Sequence, residues 1–334
     1  MTRMRTALAS CGILALALTG CAAGSDDDAG TGEGEGLLGT VPDTLYGPVE
    51  VPEPEDGELT VVALGWSDAE VALALGVTPV GVSDWLGFGA DASGVGPWAQ
   101  EAVGDAEITV FEQPFGGYDY EAIQELEPDV ILNTRSAADE EQFQRLDEIA
   151  PTVFAPEGTA DFGTAWDVQV AQVAAALGLE EEGAAVIAEV EQEIEDVAAA
   201  HPEFEGITAV TGTKFGDAYG AYVAGDFRWD LMESLGFEQN PPVLDLEASG
   251  FYVELSAEQI GALDAEAAVF FPIGYTLDEM KADPLVGSLD VVQEDRTVWL
   301  EEGAELTQAF SAASPLSIPI VVSGLADQLS EIVG

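Results

Sequence analysis

Residues 59–82 read LTVVALGWSDAEVALALGVTPVGV. Leu59 to Leu64 is a short apolar run that predicts a buried strand. Ser67, with Glu70 three residues on, has the spacing of a capping box and predicts a helix start. Ala69, Ala72, Leu73 and Leu75 carry that helix to Gly76, which can stop it in a left-handed conformation. Val80 to Val82 is a second apolar strand. Strand, helix and strand in immediate succession predict parallel strands with a helix laid over one face.

The same alternation continues outward. Tyr120 to Leu126 predicts a helix, Val130 to Leu132 a strand, Asp139 to Ile149 a helix stopped by Pro151, and Thr152 to Phe154 a strand. Two helices follow, split at Leu177-Gly178-Leu179. The second runs from about Glu180 to Ala200 with Ala184, Ile187, Val190, Ile194 and Val197 on one face. At 1.5 Å per residue it spans ~31 Å, the length of a strut between two lobes. The α/β pattern then restarts. Strands are expected at Thr208–Thr211, Ala268–Phe271 and Thr297–Leu300, and helices at Asp226–Leu235, Ser256–Leu263 and Ser317–Val333. The fold expected is α/β, with two Rossmann-like three-layer lobes joined by one long helix and a ligand cleft between them. Its segments are 59–179, the linking helix 180–202, and 203–334.

The two halves echo each other. Glu121, Ile123 and Leu126 lead into Val130–Leu132 with the same spacing as Glu258, Ile260 and Leu263 lead into Ala268–Phe271. Coincidence between two ordinary amphipathic helices is one explanation. The other is a structurally equivalent Glu on each lobe, near a helix N-terminus that favours a carboxylate.

Ahead of the folded part, Arg3 and Arg5 precede an apolar run from Ala7 to Leu18 that is too short to span a bilayer. Leu18-Thr19-Gly20-Cys21 closes it. This is the layout of a secretory signal over 1–20 with a cut before Cys21. Cys11 would leave with the signal, so no Cys remains for a disulfide, nucleophile or metal thiolate. Residues 22–58 hold no Lys or Arg and are rich in Gly, Pro, Asp and Glu. With Cys21 they are expected to form a disordered tether over 21–58.

The formal charge is −56, from 64 acidic and 8 basic residues. Such a chain is excluded from nucleic-acid binding and from electrostatic docking on anionic lipid. A solvated acidic surface suited to a salty or alkaline medium explains it, as does capture of a cationic ligand or of calcium. A lone His201 and the absence of Cys argue against a zinc or manganese site. No nucleophile elbow or phosphate-binding loop supports catalysis. No catalytic residue, cofactor or resident metal is expected.

Val61-Val62-Ala63-Leu64-Gly65-Trp66-Ser67-Asp68-Ala69-Glu70, with Leu75-Gly76-Val77-Thr78-Pro79-Val80-Gly81-Val82, resembles the opening of the iron-siderophore and cobalamin substrate-binding lipoproteins of ABC importers. Leu126-Glu127-Pro128-Asp129-Val130-Ile131-Leu132, Leu146 to Val153, and Ser314-Pro315-Leu316-Ser317-Ile318-Pro319 are similar to the family's later signposts. The stretch around Cys21 resembles a lipobox, which implies diacylation of that Cys and attachment to the outer face of a cell membrane. The resemblance implies a non-enzymatic, monomeric protein with ligand held between the lobes. It also implies that Glu121 and Glu258 each pair with Arg on the permease.

A ferric siderophore or similar iron chelate is the ligand it implies, with cobalamin or haem as alternatives. A lipid-anchored scaffold or adhesion protein that kept the fold without a transporter is another. Siderophores are bulky and oxygen-rich, and their pockets need cations and aromatic walls. Trp66 and Arg135 end their strands where open α/β sheets bind ligands. Trp85 lies in a neighbouring loop beside Phe88 and Trp98. Lys214, Tyr222 and Arg228 lie among second-lobe aromatics. Trp66, Trp85, Arg135, Lys214, Tyr222 and Arg228 are therefore the candidate ligand contacts. Arg135 could instead form a surface ion pair, and the aromatic groups could be core.

Overall fold

The computed structural model describes residues 36–112, 117–216 and 218–333. Cys21 and the signal segment lie outside them. Part of the expected tether is folded. Strands β1 (Leu37–Val41) and β2 (Val49–Pro52) pair antiparallel. Val41, Val49 and Val51 are buried in the first lobe's core. Acidic composition hid three alternating valines, whose burial offsets the ordering cost that the rest of the segment could not.

Gly39 shows how closely this ribbon packs. A Cβ there would lie 2.1 Å from the Ala175 carbonyl oxygen and 2.6 Å from that of Ala176. Both are backbone atoms of the helix Trp166–Leu177 and cannot swing aside. Gly39→Val should destabilise the protein by roughly 3 kcal/mol, read from denaturant midpoints. A parental midpoint would mean that the ribbon is not part of the cooperative fold.

The first lobe holds β3 (Val61–Ala63), β4 (Gly81–Ser83), β5 (Thr109–Phe111), β6 (Val130–Asn133) and β7 (Thr152–Phe154), all parallel, in the order β5-β4-β3-β6-β7. Side chains alternate between two apolar layers. Val61 and Ala63 face one with Leu132, while Val62 and Leu64 face the other with Ile131. A sheet buried on both faces has continuous apolar strands, as these are.

The second lobe holds β8 (Thr208–Phe215), β9 (Ala218–Tyr222), β10 (Glu238–Gln239), β11 (Tyr252–Leu255), β12 (Ala267–Ile273) and β13 (Thr297–Trp299), in the order β11-β9-β8-β12-β13, with β10 also beside β8. This sheet is mixed: β9 and β11 run antiparallel to their neighbours, and the others run parallel. The sequence pattern missed β9 and β11 because their glycine and aromatic residues break a simple apolar run.

The helix Glu180–Ala200 joins the lobes as expected. Val186 and Ile187 pack on the first lobe's core, and Val190, Ile194 and Val197 on the second's. Ala184 is exposed, contrary to the expected stripe. Gly183 is buried in its place, where a Cβ would sit 2.5 Å from that of Ala174.

The echo between the halves has a topological counterpart. β6 pairs in parallel with the first strand of its lobe, β3, and β12 does so with β8. Ile123 and Ile260 are both buried, and Glu121 and Glu258 are both exposed. The local structures differ. Glu121 lies in the first turn of the helix Tyr120–Gln124, capped by Asp119. The helix expected over Ser256–Leu263 is only a 3-10 turn, Ile260–Leu263, so Glu258 precedes it in a turn. Dipole stabilisation therefore does not extend to Glu258.

Candidate functional site

The loop after β3 is tied to the loop after β6. Trp66 N–H donates to the Arg135 carbonyl at 2.9 Å. Asp68 is fully buried and accepts from the Thr134 N–H at 2.9 Å, the Thr134 hydroxyl, and Gln169 Nε2 at 2.7 Å. Burial pushes its carboxyl pKa upward against those bonds. Gly65 is required here, since a Cβ would meet Asp68 Oδ2 at 2.2 Å. The segment Gly65 to Asp68 is thus shaped to set Trp66 and Arg135 side by side at the strand ends.

The expected capping box does not form. Ser67 has φ 63° and makes no cap hydrogen bond. Its hydroxyl donates instead to the Ala312 carbonyl of the second lobe at 2.7 Å. Glu70 is buried and accepts from the Ser314 hydroxyl, from Trp98 Nε1 at 2.7 Å and from the Gly96 N–H at 3.2 Å. The pair has the spacing of a local motif, but Ser67 bonds to the opposite lobe, and Glu70 is shared between that lobe and the loop holding Gly96 and Trp98. Burial outweighs these donors and raises the Glu70 pKa.

Three aromatic rings stack beside this junction. Trp66 lies between Trp85, at 4.3 Å between centroids, and Phe162, at 4.2 Å. The sequence reading missed Phe162, which sits in an irregular loop with no periodicity and takes φ 58°. Trp66 Nε1 and Asn133 Nδ2 are buried without hydrogen-bond partners.

Arg135 is 5% exposed, so it is not a surface ion pair. Its Nε donates to the Phe162 carbonyl at 3.1 Å and its Nη1 to the Ala312 carbonyl at 3.0 Å. Among the described residues no carboxylate forms an ion pair with it. Burial lowers its pKa to about 10. The buried cation is held by carbonyl dipoles, with its guanidinium at the interlobe crevice.

On the second lobe Arg228, 8% exposed, lies in the first turn of the helix Phe227–Ser234, next to Asp226 and Phe227, which line the crevice. Asp226 caps this helix and grips the guanidinium with both oxygens, at 2.7 Å and 2.6 Å. The Tyr222 ring lies 4.0 Å from Arg228 Cζ. Burial opposes the Arg228 charge, but Asp226 overrides it and holds the pKa above the usual range. Arg135, Phe162, Trp166, Asp226 and Asp230 line the crevice. Burial raises the Asp230 pKa to about 6.

The structure brings Trp66, Trp85 and Arg135 together in the first lobe, and Tyr222 and Arg228 together in the second; of these five Arg135 lines the crevice, and Asp226, which holds Arg228, lines it from the second lobe. Lys214 is not among them. Along β8 it alternates with Thr211 and Thr213 and points to the opposite face of the sheet, beside Tyr219. There it forms an ion pair with Asp283, whose same carboxylate oxygen accepts from Tyr219 Oη at 2.9 Å. The hydrogen bond from Lys214 to Asp283 raises the Lys214 pKa. Burial works against the Asp283 charge, but the Lys214 and Tyr219 donors hold its pKa down at about 2. Among the described residues no group of three or more His, Cys, Asp or Glu side chains could hold a metal ion.

Comparison with known proteins agrees with this architecture. The family model described as periplasmic binding protein matches residues 61–302. The Fe(3+)-citrate-binding protein YfmC of Bacillus subtilis (strain 168) is 26% identical over 273 residues, covering 73% of this chain and 78% of its own. A periplasmic solute binding protein from Mycobacterium smegmatis aligns with TM-score 0.74 and 27% identity, over 89% of this chain and 99% of that one. PiaA of Streptococcus pneumoniae TIGR4, solved in complex with ferrichrome, gives TM-score 0.74 and 26% identity, over 87% and 97%. The matched span takes in the strands that carry Trp66 and Arg135, the long helix, and the strands that carry Tyr222 and Lys214. The chain belongs to the periplasmic binding protein family.

Proposed function

We propose that this protein captures a ferric siderophore or related iron chelate outside the cytoplasm and passes it to the permease of an ABC importer. The observation that carries this reading is the buried Arg135, without a carboxylate partner, beside the Trp85–Trp66–Phe162 stack at the interlobe crevice. Aromatic surface suits the body of a chelate, and a guanidinium suits its metal-bound oxygens. The relatives' named ligands, Fe(3+)-citrate and ferrichrome, are both iron chelates. Titrating the purified protein with iron-loaded hydroxamates, catecholates, haem and cobalamin, while following Trp fluorescence, tests the reading. Quenching by haem or cobalamin alone would reassign the ligand. No response would favour a scaffold role.

Attachment is proposed to run through lipid on Cys21, which lies outside the described residues. No helix among the described residues is long and apolar enough to cross a membrane. Two acyl chains give stable anchoring where one is marginal. Cys21→Ala should release the protein from membranes and leave an unprocessed precursor. A variant as membrane-bound and lipid-labelled as the parent would remove the lipobox assignment. Docking is proposed to use Glu121 and Glu258, both exposed and equivalent in topology. The protein is proposed to act as a monomer.

A further inference from the structure

The chain beyond Cys21 contains six basic residues, and all six are described. Their positions give the charge the cleft can offer. Arg145 lies over the Tyr120 ring on the outside of the first lobe. Arg296 is bound by Glu294 and by the carbonyls of Ala265 and Glu266, where β12 begins, at the end of the sheet away from the crevice. Lys281 sits over Trp299, and Lys214 is paired with Asp283 on the other face of the second sheet. Arg135, which lines the crevice, and Arg228, paired with the lining residue Asp226, are the two that remain near it.

Arg228 is already neutralised by Asp226 through a buried two-point contact. Asp230 lines the same crevice and matches the charge of Arg135. The binding region thus has no surplus of positive charge. It sits in a molecule of net charge −56, whose field repels anions at a distance.

We propose that the cleft selects iron chelates of zero or positive net charge, the tris-hydroxamate class, over polyanionic catecholate and citrate complexes. This presupposes that the ligand is an iron chelate. Three hydroxamates each carry one negative charge and together neutralise the ferric ion. Such a complex presents partly negative oxygens to Arg135 and adds no net charge to the site. Three catecholates leave a trianion, which would enter a crevice lined by Asp226 and Asp230 with too few cations to balance it. A pendant ammonium on a hydroxamate chelate would find those two carboxylates instead.

Calorimetric titration of the purified full chain, at about pH 7.5 and about 0.15 M salt, tests this. The probes are ferrichrome (neutral), ferrioxamine B (cationic), iron held by a tripodal tris-catecholate (trianionic), and ferric citrate. The neutral and cationic complexes should bind on the order of 100-fold tighter than either polyanion, as expected for juxtaposed like charges. Asp230→Asn, which removes one lining charge and keeps an acceptor for the Gly225 N–H, should narrow that gap by about tenfold. Tighter or equal binding of a polyanion would overturn the charge selection and leave the iron-chelate reading standing. If none of the four bound, the iron-chelate reading itself would fall and the selection with it.

Discussion

Glu121→Ala combined with Glu258→Ala is expected to abolish cellular uptake of labelled iron chelate while ligand affinity and thermal stability stay at parental values. Neither side chain belongs to the crevice or the core. Glu121 projects from the first turn of a short helix whose cap is supplied by Asp119, so its loss leaves the helix start intact. Glu258 lies in an exposed turn, and burial there falls on Ile260. Among 64 acidic residues a single carboxylate adds little to the overall field. An effect of these two must come from short-range pairing, a two-pronged contact with permease arginines. A control pair, Asp43→Ala with Glu50→Ala, should be silent, since both are exposed on or beside the β1–β2 ribbon. Uptake in cells and binding by the purified variants are compared side by side. Full uptake in the double variant would end the docking assignment, and lost ligand affinity would relocate both residues to the ligand site.

Arg135→Ala is expected to weaken ligand binding by ~1.5–3 kcal/mol, the range for a hydrogen bond to a charged group. It should also lower folding stability by ~1–3 kcal/mol. From the sequence alone this substitution reads as nearly silent for folding, because exposed ion pairs contribute little. The structure reverses that expectation. Arg135 is buried, and its guanidinium joins the Phe162 carbonyl of one lobe to the Ala312 carbonyl of the other. Truncation strands both acceptors and loosens the lobe junction. Arg135→Lys keeps the charge, but an ammonium lacks the planar fork that serves two carbonyls at once. It should recover less than half of the lost stability. Chemical denaturation and ligand titration of both variants separate the two roles. A parental midpoint for Arg135→Ala would show that water replaces the guanidinium at the carbonyls.

How much was legible in the sequence depends on the range of the interaction. The apolar runs of β3, β6, β7 and β12 and the long helix were readable because their periodicity is carried by adjacent residues. Trp66 and Arg135 were readable as ligand candidates because both follow strand ends directly. Phe162 was not, since nothing near it in the chain marks a site. Lys214 was placed with Arg228 on sequence proximity, yet strand alternation turns Lys214 to the face of β8 opposite Thr211, whose hydroxyl donates to the Arg228 carbonyl on the neighbouring helix.

The Ser67–Glu70 pair marks the boundary most sharply. By itself the sequence determined the α/β alternation, the strut between two lobes, the acidic charge and the shortage of cations, because these are properties of local pattern and composition. Only the tertiary structure decided that Ser67 and Glu70 bind the segment Ala312–Ser314 rather than cap their own helix. It also decided that the valines of residues 41–51 are core, and that Arg135 and the Asp226–Arg228 pair meet at one crevice. A hydroxyl or carboxylate satisfies its hydrogen bonds with whichever partner folding brings near. For these residues that partner lies far along the chain, on another lobe, where no local spacing can announce it.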